Sequence, residues 1–502
     1  MKKSILVAAA GFLTAVAAAQ TGSPILPIVT SRLTANDLKA DVSFLASDAL
    51  QGRGTPSPGL DIAAEYIAAQ FRRAGLEPAG DDGYFQTARY ETVIPNVEGL
   101  GFSVDGDGPT VKAKTVSMGL QQAASADLNK VAMVKVTGTN AAEMAALTAE
   151  QVRGKVLVLD FPAGTNANIL NRQLPALTAR LQPALVVLLT SGGMPTNQPR
   201  RMREAGAAAA SVTPVLLVWD EGVRTALGVG KHTPVTALIS AHIPAPAVTP
   251  VKVHNVVGVM RGSDPALRDT YILVTAHYDH LGVAGAGQCR AANGDNICNG
   301  ANDDGSGTAS VIEVANALAA LPTRPKRSIV FMTFFGEELG LVGSRYYGSH
   351  PIFPLSKTVA DLNLEQLGRT DVDGGSSVGL VNVTGFDYST VTDAVVKAAG
   401  STGLKVVKNA RLNEPYFAAS DNQALADAGV PAHTLSVGYD FPDYHKVGDE
   451  WPKLDYDNLA IVDRTVALAV YDVADSTDVP QWKDLPATQR YIKARQDSLH
   501  GK

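Results

Sequence analysis

The chain is short of several things, and each shortage narrows what it can do. Among 502 residues there are two cysteines, Cys289 and Cys298. Their spacing fits no common zinc pattern, which excludes a thiolate-built structural zinc site. Charged residues make up 18% of the chain and include no dense Lys/Arg run. With a formal net charge of -6, nothing would draw the protein to a phosphate backbone or an anionic lipid surface, so no nucleic-acid partner is expected. Beyond the N-terminus no apolar run reaches the about 20 residues that a membrane-crossing helix needs.

What is present begins with Met1-Lys2-Lys3, an apolar stretch from Ile5 to Ala19 and the small-residue triplet Ala17-Ala18-Ala19. A short basic region, an apolar segment below spanning length and a small-residue end are the parts of a secretory signal, here expected over residues 1–19 with cleavage after Ala19. The mature protein is then expected to be soluble, without a membrane partner, and periplasmic or secreted. In that oxidising setting Cys289 and Cys298 are expected to pair across a Gly/Asn-rich loop, the alternative being two free thiols. An apolar fraction of 45% supports a packed core, and a chain of this length is expected to form two globular parts.

Leu38, Val42 and Leu45 at helical spacing, behind a Thr34-x-x-Asp37 start, predict a first helix within residues 33–50. Ile62, Tyr66 and Phe71 predict a second that stops at Gly75. From about residue 120 the texture changes. Short apolar runs (Val156 to Leu159, Leu185 to Leu189, Val215 to Val218) alternate with Ala-rich, helix-like stretches such as Ala141 to Thr148 and Met202 to Ala209. No carboxylates cluster here, so residues 120–249 read as a separate α/β module outside the chemistry. The expected division is therefore 24–119 for the N-terminal part of a main domain, 120–249 for an insert, 250–475 for the catalytic part and 476–502 for a helical tail.

From Val251 onward strands and helices alternate: a strand from Tyr271 to Ala276, an amphipathic helix from Thr308 to Leu321, and strands from Ser328 to Phe335 and Val359 to Leu364. Continuous apolar strands separated by helices indicate a mixed, mostly parallel α/β sheet covered on both faces, with sites at the strands' C-terminal ends. Each of these strands runs into a candidate metal ligand: His277, then the pair Glu337-Glu338, then Glu365. A turn-rich segment, Asn299 to Gly307, carries Asp303-Asp304, and Asp443-Tyr444-His445 lies near the end. Imidazole nitrogen and carboxylate oxygen are donors zinc accepts. Taken singly, His277 reads as a hydrogen-bonded histidine, Asp303-Asp304 as a turn and Glu337-Glu338 as a solvated pair. Together they fall at one sheet edge.

The set His277-x-Asp279, Asn302-Asp303-Asp304-Gly305-Ser306-Gly307, Glu337-Glu338 and Asp443-Tyr444-His445 resembles the co-catalytic zinc peptidases, which include bacterial zinc aminopeptidases and glutamate carboxypeptidase II. The resemblance covers roughly residues 30 to 90 and 250 to 470. It implies a zinc-peptidase α/β/α sandwich, with the middle region similar to an inserted protease-associated domain. It further implies two Zn2+ per chain: Asp303 bridging, His277 and Glu365 completing one site, Glu338 and His445 the other. Glu337 would be the general base and Asp279 the carboxylate that orients His277, adjacent Glu337 and Glu338 pointing apart as neighbours in extended backbone do. Asp304, His280 and Asp449 would give support, His280 reading more readily as structural. One position departs from the family pattern: many relatives carry Asp where this chain has Glu365.

The activity this implies is hydrolysis at the free N-terminus of a peptide substrate. Alternatives are a carboxypeptidase or dipeptidase, for which Arg290, Arg345, Arg369 and Arg411 are possible carboxylate clamps, a glutaminyl cyclase, and a non-catalytic binding protein. Oligomeric state has no signature in these residues.

Overall fold

A computed structural model describes residues 23–106, 108–120, 125–138, 140–161, 174–190, 201–207, 213–228, 237–285, 287–372, 375–409 and 414–500. The expected leader over residues 1–19 and Arg411 lie outside them.

Strands Tyr271–His277, Ser328–Phe334 and Thr358–Leu364 are buried at every position, which is what runs of apolar, β-branched residues become in a sheet covered on both faces. With Ala432–Ser436 they make a parallel centre. Antiparallel partners extend the sheet on both sides. Its order is Lys405–Val407, Leu380–Val383, Ala432–Ser436, Thr358–Leu364, Tyr271–His277, Ser328–Phe334, Ala247–Met260, Phe85–Ile94 and Arg201–Glu204, with the short strand Glu77–Pro78 also paired to Ala247–Met260.

Helices cover both faces. On one, Ala35–Leu45, Pro58–Arg73, Gly307–Ala319 and Tyr456–Asp475 share a continuous core with the sheet. On the other, Tyr347, Leu425 and Tyr491 pack with Leu273, Val330 and Met332. Each fully buried Leu, Val or Phe in these layers contributes about 1.5 to 3 kcal/mol. The result is a mixed α/β/α sandwich whose central strands all end at one edge.

A second sheet runs Val111–Lys112, Gly101–Asp105, Leu238–Ile243, Ala126–Thr137, Val156–Asp160, Leu185–Leu189, Val215–Val218 and Val116–Leu120. It has its own apolar core, including Phe102, Val158, Val187 and Ile239. Its first strand starts at Gly101, so a boundary at residue 120 would cut through it. Nor does the middle region stay wholly in that sheet. Residues Arg201–Glu204, expected within a helix, form a strand on the main sheet's edge, where Arg203 meets Glu91. Cross-strand pairing overrides the local Ala-rich bias there.

Two helix readings also need correction. In Pro58–Arg73 the buried stripe is Leu60, Ala63, Ala64, Ile67, Ala68 and Phe71, while Ile62 is 47% exposed. Helix Gly307–Ala319 is buried on nearly all sides rather than amphipathic, because it lies between the sheet and the N- and C-terminal helices. Among the described residues no helix is long and apolar enough to cross a membrane. Cys289 and Cys298 form a disulfide.

Candidate metal centre

Parallel strands bring their C-terminal ends together, and this places the candidate ligands. His277 is the last residue of its strand and Glu365 follows directly on the neighbouring one. Past Ser328–Phe334 the chain turns at Gly336, whose φ of 68° suits glycine. Glu337–Leu339 then form a 3-10 turn, so the two glutamates are not in extended backbone. They still diverge, because successive residues of a 3-10 turn point about 120° apart. The Asp449 carboxylate accepts from the N–H groups of Asn302 (2.9 Å) and Asp303 (3.0 Å), holding the turn that presents Asp303. His445 reaches the site from a loop, at φ 55°.

The distances are those of groups converging on common points. His277 Nε2 lies 3.4 Å from Asp303 Oδ1, and His445 Nε2 lies 3.3 Å from Asp303 Oδ2 and 3.4 Å from Glu338 Oε2. Ligands bound tetrahedrally to zinc at about 2.0 to 2.1 Å are themselves about 3.3 Å apart. Asp303 thus offers one oxygen to each histidine. His277, Asp303 and Glu365 form one potential cation site, with ligand atoms within 4.8 Å of one another. His280, Asp303 and Glu338 form another. The structure therefore brings His280 into the site: its Nδ1 approaches Glu338 Oε1 to 2.8 Å without hydrogen-bond alignment. His277 Nε2, both ring nitrogens of His280, Glu338 Oε1 and Glu365 Oε2 are buried without a hydrogen-bond partner. Orphaned polar atoms of this kind are costly unless something satisfies them, and the donor set fits zinc.

The electrostatics agree. Burial pushes the pKa of His277 and His445 down, yet their acidic neighbours win. Asp279 and Asp303 carry His277 well above its usual range, and Asp303 and Glu338 carry His445 up to about 9. Burial raises Glu365 to about 7. Burial also raises Glu337 well above the usual carboxylate range; His277 opposes this, while Glu338, Glu365 and Asp421 reinforce it. Such a site attracts either protons or a metal cation.

Around it sits a second layer. The nearer hydrogen bond of His277 Nδ1 is to the main-chain carbonyl of Asp279 (3.2 Å), the carboxylate Oδ1 lying 3.6 Å away. That carboxylate accepts from the Thr55 hydroxyl (3.0 Å) and the Glu337 N–H (3.0 Å), so Asp279 links the His277 turn to the Glu337 turn. The reading from sequence missed Arg53 and Thr55, whose only visible signal was an Arg in a Gly-flanked turn.

A cavity opens on the centre. Asp303, Glu337, Glu365 and His445 line it, together with Gln366, Ala419, Ser420, Tyr416, Tyr439 and Tyr444. None of these residues is cationic apart from a protonated His445.

Residues 255–470 match Peptidase family M28. That match covers less than half of the 502-residue chain. All the candidate ligands and Glu337 fall inside the M28 match. Aminopeptidase YwaD of Bacillus subtilis (strain 168) is 26% identical over 233 residues, 45% of this chain and 46% of that protein. The probable glutamate carboxypeptidase VP8 of Zea mays is 27% identical over 218 residues, 40% of this chain and 27% of that protein. The chain therefore spans about half or less of the length of these curated relatives. In three dimensions the aminopeptidase from Aneurinibacillus sp. strain AM-1 shares the fold, with a TM-score of 0.59 at 19% identity over 90% of this chain and 97% of that one.

Proposed function

We propose that this protein is an exported two-zinc aminopeptidase of family M28. The carrying observation is that no cationic clamp for a substrate carboxylate lines the cavity: among its lining residues there is no Lys or Arg. A substrate's free carboxylate would need a cationic clamp, and the three candidates among the described residues do not line the cavity. Arg369 is buried in ion pairs with Asp371 and Asp443, and Arg290 and Arg345 are exposed and are not among the lining residues.

In this reading His277, Asp303 and Glu365 would hold one zinc and Asp303, Glu338 and His445 the other. Bound zinc would lower the pKa of water and polarise the scissile carbonyl. Glu337, which lines the cavity, takes the proton from the attacking water and returns it to the leaving amine. Asp279 fixes Glu337 from behind, through the 3.0 Å bond to its N–H. Export accords with the basic-apolar N-terminal sequence and with the disulfide. The middle region, in this reading, is an inserted protease-associated domain.

The test is a digest of paired peptides, free or acetylated at the N-terminus. Release of residues from free amino ends only is expected. Release from the carboxyl end of acetylated peptides would overturn the aminopeptidase reading.

A further inference from the structure

The two halves of the metal centre are supported differently. His277 ends one central strand, and Glu365 follows the next, its N–H donating to Leu435 O at 3.1 Å. Glu338 and His445 lie on no strand. Glu338 sits in the 3-10 turn and His445 in a loop, with 39% of its side chain exposed.

Both are braced by one small element, the loop closed by the Cys289–Cys298 disulfide. Just before it, Gln288 Nε2 donates to the carbonyl oxygen of Glu338 at 2.7 Å. The two cysteines and Leu281 form a buried apolar cluster whose fourth member is Val447, two residues beyond His445. Asn299, which follows Cys298, donates through Nδ2 to Glu450 Oε1 at 3.0 Å, further along the His445 loop.

We propose that the cystine loop, residues 288–298, is a positioning element for the Glu338 and His445 half of the centre, so that opening it weakens metal binding in that half and spares the His277 and Glu365 half. A ligand on a strand is fixed by ladder hydrogen bonds whatever the loop does. A ligand on a turn or loop keeps its place only while its neighbours do, and supporting contacts of this kind typically change metal affinity about 10- to 100-fold. The inference rests on the two-zinc reading.

The experiment is a zinc competition titration against a chromophoric chelator, with bound zinc counted by mass spectrometry. It compares wild type, Cys289→Ser/Cys298→Ser and Gln288→Ala, which keeps the disulfide. The unfolding midpoint of each metal-free protein separates general loss of stability from loss of a site. Wild type is expected to hold two zincs per chain. In both variants one should stay at wild-type affinity while the other weakens about 10- to 100-fold. Two zincs at wild-type affinity in both variants, or equal weakening at both sites, would overturn the proposal. Fewer than two zincs in wild type would instead overturn the two-zinc reading beneath it. Should the double Ser variant not fold, Gln288→Ala decides alone.

Discussion

The guanidinium of Arg53, wholly buried, donates to the carbonyl oxygen of Gly300 at 2.9 Å, three residues before Asp303. It also donates to Asn299 O at 2.7 Å, to Tyr278 O at 2.8 Å and to Leu45 O. All four acceptors are main-chain carbonyls. Burial lowers its pKa to about 10, against the opposing field of Asp279, Asp449, Asp304 and Asp303. One cation thus ties the turn after His277 and the turn before Asp303 to the end of helix Ala35–Leu45.

Arg53→Met should leave those carbonyls without donors, at about 1 to 3 kcal/mol for each that stays buried and unpaired. A loss of about 3 kcal/mol or more in unfolding free energy is expected from a denaturant titration of the zinc-loaded protein. A change within about 0.5 kcal/mol, the range of ordinary surface substitutions, would contradict the role.

Asp303 offers one oxygen to each histidine, so its removal should act on both halves of the centre. Zinc counted by mass spectrometry is expected to fall to near zero in Asp303→Ala and to one per chain in Glu365→Ala. Equal zinc content in the two variants would count against a shared ligand.

His445 and His277 have raised proton affinity in the metal-free protein, His445 to about 9. Protons compete with the metal below those values and are released when it binds. Apparent zinc affinity should therefore climb as pH rises from about 6 to about 9, more shallowly in His445→Asn. A chelator competition series across that range checks it; a flat profile in wild type would contradict it.

Much of this site is legible in the sequence because continuous apolar runs identify the central strands, and parallel strands end at a common edge. That logic puts His277, the pair Glu337-Glu338 and Glu365 at strand ends; which of them would hold metal, and the roles of Asp303 and His445, are what the resemblance implies. What escapes depends on contacts between distant segments. Arg53 in a Gly-flanked turn looks solvated, and its acceptors at Tyr278, Asn299 and Gly300 lie 225, 246 and 247 residues away. The strand Arg201–Glu204 exists only because Phe85–Ile94 pairs with it. His280 is fully buried against Glu338, a proximity that no local pattern encodes.

Away from the centre, Asp41 and Glu313 face each other between helices Ala35–Leu45 and Gly307–Ala319, with Tyr66, Asn316, Arg73 and Asp37 around them. Burial raises Asp41 to about 6 and Glu313 to about 8. A carboxyl with a raised folded-state pKa contributes stability that is complete below its unfolded pKa and lost as pH rises through the folded one. Glu313→Gln should therefore gain stability relative to wild type between about pH 5 and pH 8. Unfolding midpoints at equal zinc loading test this; a difference independent of pH would contradict it.

The central claim is that Glu337 moves the proton and does not hold the metal. Its most direct test is Glu337→Gln, assayed for release of amino acid from a free-amine peptide and for bound zinc in the same preparation. Activity is expected to fall about 100- to 10,000-fold, the range for losing a general base, with two zincs retained. Activity near that of wild type, or loss of zinc in step with activity, would contradict the assignment.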